Sequence, residues 1–171
     1  MATSREYLLA PANRAFITFT IVVAFILNVL PWGKMTLTPD FLALTLVFWN
    51  VRQPRMVGIG IAFLFGLLMD VHDAALLGQH ALVYSLLSYG AISLHRRIPW
   101  FGMPAQIAHV LPLLLAGQLV SLVLRMMLGG GFPGWLYFLP SVTGALLWPL
   151  AEWLLLAPQR VAVEHDENRP L

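Results

Sequence analysis

Charged residues are scarce along this chain and fall in ones and twos, leaving long apolar runs between them. The stretch between Arg14 and Lys34 carries no charge, and Phe16 to Leu30 is almost wholly apolar. It ends in Asn28-Val-Leu-Pro31-Trp32 with no small-x-small cleavage pattern, so it reads as a retained first helix and not a cleaved signal peptide. A second apolar run covers about Leu37 to Val51 and a third about Met56 to Met69. At ~1.5 Å per residue each reaches only ~21–22 Å of a ~30 Å hydrocarbon core. Ala75 to Leu94 and Pro104 to Leu128 follow, then a Gly129-Gly130-Gly131 break and a last run from Gly134 to Ala157. The pattern predicts an all-α membrane protein with six transmembrane helices in one bundle.

The turn between the two short runs is Asn50-Val-Arg52-Gln-Pro54-Arg55. A re-entrant hairpin would bury both arginines in mid-membrane, each costing at least ~2.5–3.5 kcal/mol. Two full crossings, helped by local thinning of the bilayer, avoid that cost. With the first tail inside, Arg5, Arg14, Arg52, Arg55, Arg96, Arg97, Arg160 and Arg169 share the inner side, and only Lys34 and Arg125 lie outside. That is a strong positive-inside bias, and removing or adding a span would scatter it. The expected organisation is a cytoplasmic tail over residues 1–14, the bundle over 15–157 and a second cytoplasmic tail over 158–171, in an inner membrane. Trp32, Trp49, Trp100 and Trp135 fall at expected span ends, where indole rings sit at headgroup level. Trp148 and Trp153 fall within or near the inner end of the last span and need packing partners.

Composition narrows the function classes. Of 171 residues, 59% are hydrophobic and 11% charged, against roughly 25% charged in soluble domains. There is no cysteine, which excludes disulfides, thiolate metal sites, a cysteine nucleophile and S-acylation. The dispersed basic residues serve topology and form no nucleic-acid patch. Phosphate loops, zinc-protease motifs and nucleophile elbows are missing. Nothing calls for a catalytic residue, a cofactor or a metal.

The densest polar cluster is Asp70, His72 and Asp73, after span three. These residue types can ligate a divalent ion, contact a partner, or finish one helix and start the next, with Asp73 as N-cap. Glu152 lies well inside the last span and Arg125 near the outer end of the fifth. Intramembrane charges are functional suspects, but these two differ in depth by roughly 20 Å. Asp70 is the expected partner of Arg125; Arg96, Arg97 or Arg160 is expected for Glu152. His80, Gln106, His109 and Gln118 suit interhelical hydrogen bonds, worth about 0.6 kcal/mol each; a proton relay through His80 and His109 is the alternative, with no neighbouring acid along the chain to support it. Ala62 with Gly66, Ala81 with Ser85, and Gly117 with Ser121 are small pairs at four-residue spacing that let helices approach closely.

From Pro39 to Leu82 the sequence resembles the MreD family of bacterial rod-shape-determining proteins, in the form found in Gram-negative bacteria. The resemblance rests on Pro39-Asp40, Phe48-Trp49, Pro54, Gly58, Gly66-Leu-Leu-Met-Asp70 and Leu77-Gly78-Gln79-His80-Ala81-Leu82. Pro31-Trp32 and Leu147-Trp148-Pro149 extend it. It implies a non-enzymatic membrane subunit of the elongation machinery, binding MreC and helping to maintain rod shape by coordinating lateral peptidoglycan synthesis. RodA with its transpeptidase would be neighbours, the MreB filament an indirect one, and self-association is open. It also implies a fold similar to the substrate-binding subunits of vitamin transporters. Structural or partner-interface candidates are Pro39, Asp40, Trp49, Gly66, Asp70, Gly78, Arg125, Trp148 and Glu152, with Gly66 and Asp70 as fold-defining positions.

Two other classes compete. One is a small-molecule-binding subunit of a vitamin-type transporter, although the first span lacks the Ala-x-x-x-Ala docking patch such subunits carry. The other is an enzyme acting on a lipid-linked precursor through Asp70, His72 and Asp73.

Overall fold

The computed structural model describes residues 7–9, 12–31, 37–73 and 76–162. Trp32, Lys34, Arg5, Arg169 and the polar tail from Val163 lie outside the described residues. In chain order come β1 (Tyr7–Leu9), α1 (Arg14–Val29), α2 (Phe41–Arg52), α3 (Gly58–His72), α4 (Gln79–Leu94), α5 (Met103–Met127), α6 (Leu139–Leu146), α7 (Trp148–Leu156) and β2 (Arg160–Ala162). Single 3-10 turns precede α5 and α6 and follow α7.

The helices begin where capping chemistry allows. The Asn13 side chain accepts the Ala15 amide at 2.9 Å, and the Asp40 side chain accepts the Ala43 amide at 2.8 Å, each satisfying an otherwise orphaned N–H. Pro104 opens α5, at a position where a missing N–H costs nothing. Along α1, Ile17, Ile21 and Ala24 are buried at helical spacing while Phe19, Val22 and Ile26 face outward.

α2 has no outward face. Every residue from Leu42 to Val51 is buried, because α1, α4, α6 and α7 all pack on it. Its shortness follows: a helix enclosed by protein need not match the thickness of the bilayer. Trp49, expected at headgroup level, is instead fully buried; its Nε1 donates to Thr20 Oγ1 at 2.9 Å and its ring meets Phe16 edge-on. Trp100 and Trp135 are exposed, as span-end indoles should be.

Two helices, Met103–Met127 and the broken Trp135–Gln159 segment, are long and apolar enough by themselves to cross a membrane. The sixth segment is not one straight helix, as the uninterrupted apolar run suggested. It breaks at Leu147 between α6 and α7, because Pro149 lacks the N–H that a continuous helix would use. The bundle is all-helical, as expected, and one short pairing is added beside it. Tyr7–Leu9 pairs antiparallel with Arg160–Ala162, Leu9 opposite Arg160, which fastens the start of the bundle to its end.

Candidate functional site

Two carboxylates at one end of the bundle hold it together. Asp70, near the end of α3, is buried, and its oxygens face the start of α4. Oδ2 accepts the Gly78 amide at 2.8 Å and the Ala81 amide at 3.4 Å. Oδ1 accepts the His80 amide at 2.7 Å and lies 2.9 Å from His80 Nδ1, so that ring nitrogen carries the proton. Asp70 thus caps α4 from a neighbouring helix, where Gly78 at N-cap, with φ +103°, has no side chain to do so. Gly66 stands one turn earlier on the same face. A Cβ there would lie 2.4 Å from Ala81 Cα, so only glycine permits this approach. The four-residue spacing of Gly66 and Asp70 is the footprint of one helix contact.

The expected roles of the neighbours change. Asp73 ends α3 and is not the N-cap of α4. His72 and Asp73 are exposed while Asp70 points inward, so the three do not converge. Among the described residues no group of three or more His, Asp or Glu is placed to hold a metal ion. His80 does have acids beside it, with Asp73 Oδ2 3.6 Å from its Nε2 in addition to Asp70. Arg125 is exposed, and the oxygens of its expected partner Asp70 face α4.

Asp40 makes a second knot. Its Oδ1 accepts Asn28 Nδ2 at 2.7 Å, its Oδ2 accepts Tyr84 OH at 2.8 Å, and Asn28 Oδ1 accepts the Phe41 amide at 3.0 Å. One carboxylate therefore ties the end of α1 and the middle of α4 to the start of α2. Pro39 beside it faces Gly144 of α6, where an added Cβ would meet Pro39 Cβ at 3.7 Å. Deeper in, Gln118 Nε2 donates to the Tyr137 carbonyl at 3.0 Å, and Ser141 Oγ donates to Gln118 Oε1 at 2.6 Å. A cavity of about 180 Å³ lies among these groups, lined by Asp40, His80, Tyr84, Gln118, Tyr137 and Ser141.

The opposite end holds the buried ion pair. Glu152 Oε1 accepts from Arg52 Nη2, joining α7 to the end of α2. The expected partners Arg96, Arg97 and Arg160 are displaced because α2, enclosed by the other helices, delivers Arg52 directly to α7. Nearby, Asn50 Nδ2 donates to Leu46 O and to Ser88 Oγ. Trp148, fully buried, donates from Nε1 to Gln106 Oε1 at 2.8 Å and packs on Phe48. His109 bonds a carbonyl of its own helix and stacks on Phe101; it takes no part in the bonds between helices.

Asn28, Arg52, Tyr84 and Ser141 belong to these knots and were not singled out by sequence. Asn28 and Tyr84 had a signal, each being a polar group within an apolar run. Nothing along the chain indicates which arginine lies beside Glu152.

The sequence profile of the family described as rod shape-determining protein MreD matches residues 12–157. The chain belongs to the MreD family. It is 32% identical over 146 residues, covering 82% of this chain and 86% of the relative, to the rod shape-determining protein MreD of Haemophilus influenzae. No solved structure matches. MreD is a shape-determining membrane protein family, and its match runs from the turn before α1 to the first residue after α7, so it takes in both carboxylate knots and the Arg52–Glu152 pair.

Proposed function

We propose that this chain is a non-enzymatic, multi-pass subunit of the cell-elongation machinery in the bacterial inner membrane, binding MreC and helping to maintain rod shape by coordinating lateral peptidoglycan synthesis. RodA, its transpeptidase and, indirectly, MreB would be its other neighbours. The observation that carries the reading is what the polar residues do. Asp40, Asp70 and Glu152, the acids best placed for chemistry, each bond a neighbouring helix. A scaffold needs its polar groups spent in this way; an enzyme needs at least one aimed at a substrate.

Membership of a shape-determining family supports the same reading. The arginines Arg14, Arg52, Arg55, Arg96, Arg97 and Arg160 fall at helix ends and turns consistent with six crossings and cytoplasmic tails. The bundle would be residues 15–157, with tails over 1–14 and 158–171. At the outer end, Phe132 and Trp135 pack edge-on yet stay exposed together with Met127 and Leu136, a surface suited to MreC or to a second copy.

Affinity purification of the tagged chain from a rod-shaped host is the test. MreC should co-purify, and deleting the gene should give rounded cells. Unchanged cell width on deletion, with no MreC recovered, would overturn the proposal.

A second reading is a small-molecule-binding subunit resembling those of vitamin transporters. The polar cavity beside Asp40 and Tyr84 is what favours it. Stabilisation of the purified protein by one member of a vitamin panel would support that reading, and no shift with any member would remove it.

A further inference from the structure

We infer that the polar cavity at the Asp40 end of the bundle binds a small organic molecule carrying one primary ammonium group. The cavity measures about 180 Å³ and lies among α2, α4, α5 and α6. An apolar cavity of about 150 Å³ is enough to hold benzene, so this one suits a ligand of about eight heavy atoms. Leu87 and Leu114 give it an apolar wall for the body of such a ligand. The polar wall decides what the other end must be.

That wall is built around Asp40. Its Oδ1 accepts two bonds, from Asn28 Nδ2 and the Ala43 amide, while Oδ2 accepts one, from Tyr84 OH. A carboxylate oxygen can accept two, so Oδ2 keeps room for one more donor. All three donors are neutral. Among the described residues no Lys or Arg lines the cavity or forms an ion pair with Asp40. Arg125 on α5 is exposed and lies outside the lining. The other polar groups add acceptors. His80 gives its Nδ1 proton to Asp70, so the neutral ring offers Nε2 as an acceptor. Ser141 gives its hydroxyl proton to Gln118 and keeps its lone pairs.

An acceptor-rich cavity with an unneutralised carboxylate selects by charge. An ammonium group supplies three donors and the missing positive charge, and its bond to a carboxylate is of the charge-assisted, stronger kind. A neutral hydroxyl supplies one donor and leaves the charge unpaired; an anion meets repulsion. The surroundings have the same sign. An adjoining cavity of about 250 Å³ shares Asp40, His80, Tyr84 and Pro140 with the first and adds Asp73, which is exposed. Carboxylates without a facing cation raise the local concentration of positive ligands.

The test is isothermal titration calorimetry of the full chain in mild detergent with three probes of similar size: benzylamine, benzyl alcohol and benzoate. The wild type should bind one benzylamine, about tenfold more tightly than benzyl alcohol, and should not bind benzoate. Ser121→Phe, which fills the cavity from α5, should lose benzylamine. Val123→Phe, on the exposed face of the same helix, should keep it. Asp40→Asn should bind benzylamine no more tightly than the alcohol, with its unfolding midpoint measured alongside. If that variant does not fold, the probe series on the wild type and the Ser121→Phe variant decide the matter. Equal affinity of the wild type for benzylamine and benzyl alcohol, no binding of benzylamine, or its retention by Ser121→Phe would overturn the inference. Such a site is compatible with a scaffold and shares its cavity with the second reading above. A vitamin that stabilises the protein while benzylamine fails to bind would overturn the inference and keep that reading; benzylamine binding with no response to any vitamin would do the reverse.

Discussion

Asp70 satisfies three backbone amides and one imidazole across a helix junction. Removing the carboxylate strands donors that are costly to bury, at about 1–3 kcal/mol for each group left unpaired. Asp70→Ala should therefore lower the thermal unfolding midpoint in detergent markedly, and Asp70→Asn, which keeps one acceptor oxygen, should lower it less. An unchanged midpoint for Asp70→Ala would refute the capping role. Gly66→Ala drives a methyl against the Ala81 backbone, which cannot move aside as a side-chain tip could, and should cost about 1–3 kcal/mol. Gly60 on the same helix has open space around its Cβ position; Gly60→Ala should be neutral or stabilise by roughly 0.5–1 kcal/mol. At the other end, Glu152→Ala should cost about 3–5 kcal/mol by leaving Arg52 unpaired in the bundle, while replacing both residues by Met should cost much less. Equal losses for the single and double variants would show that the pair does not act as a unit. The sequence made Gly66 and Asp70 legible because their spacing along one helix face is itself the signal. The partner of Glu152 was not legible, because lateral neighbours in a bundle leave no trace in linear order.

At the scale of elements, the apolar runs gave the helices closely, with α5 described as Met103–Met127 where the run extends from Pro104 to Leu128. Two features escaped. The periodicity of α2 carries no outward stripe, which is consistent with both a lipid-exposed span and a fully enclosed helix, so its central position emerged only from packing. The same ambiguity placed Trp49 at an interface it does not reach. The break at Leu147 was marked by Pro149 but lay inside an unbroken apolar run, and transmembrane helices tolerate proline, as α5 does at Pro112. If α2 is the enclosed core, Phe48→Ala should cost about 3–5 kcal/mol. Leu64→Ala on the exposed face of α3 should stay within roughly 0.5 kcal/mol. Chemical-denaturant unfolding of the two variants compares them directly, and similar losses would contradict the enclosed position of α2.

For the whole molecule, the architecture separates two ends. One carries the carboxylate knots of Asp40 and Asp70, the polar cavity and the exposed Phe132–Trp135 loop. The other carries Arg14, Arg55, Arg96, Arg97 and Arg160, the Arg52–Glu152 pair and the β1–β2 pairing. The scaffold reading depends on these ends facing opposite sides of the membrane, since only then can an outer surface meet MreC while the tails stay with the cytoplasmic machinery. The chain has no cysteine, so single cysteines introduced at Arg55, Arg97 and Trp135 report without background. In intact cells with a permeable outer membrane, an impermeant maleimide should label Trp135→Cys readily and reach Arg55→Cys and Arg97→Cys only after lysis. Ready labelling of either arginine position before lysis would contradict the topology on which the account stands.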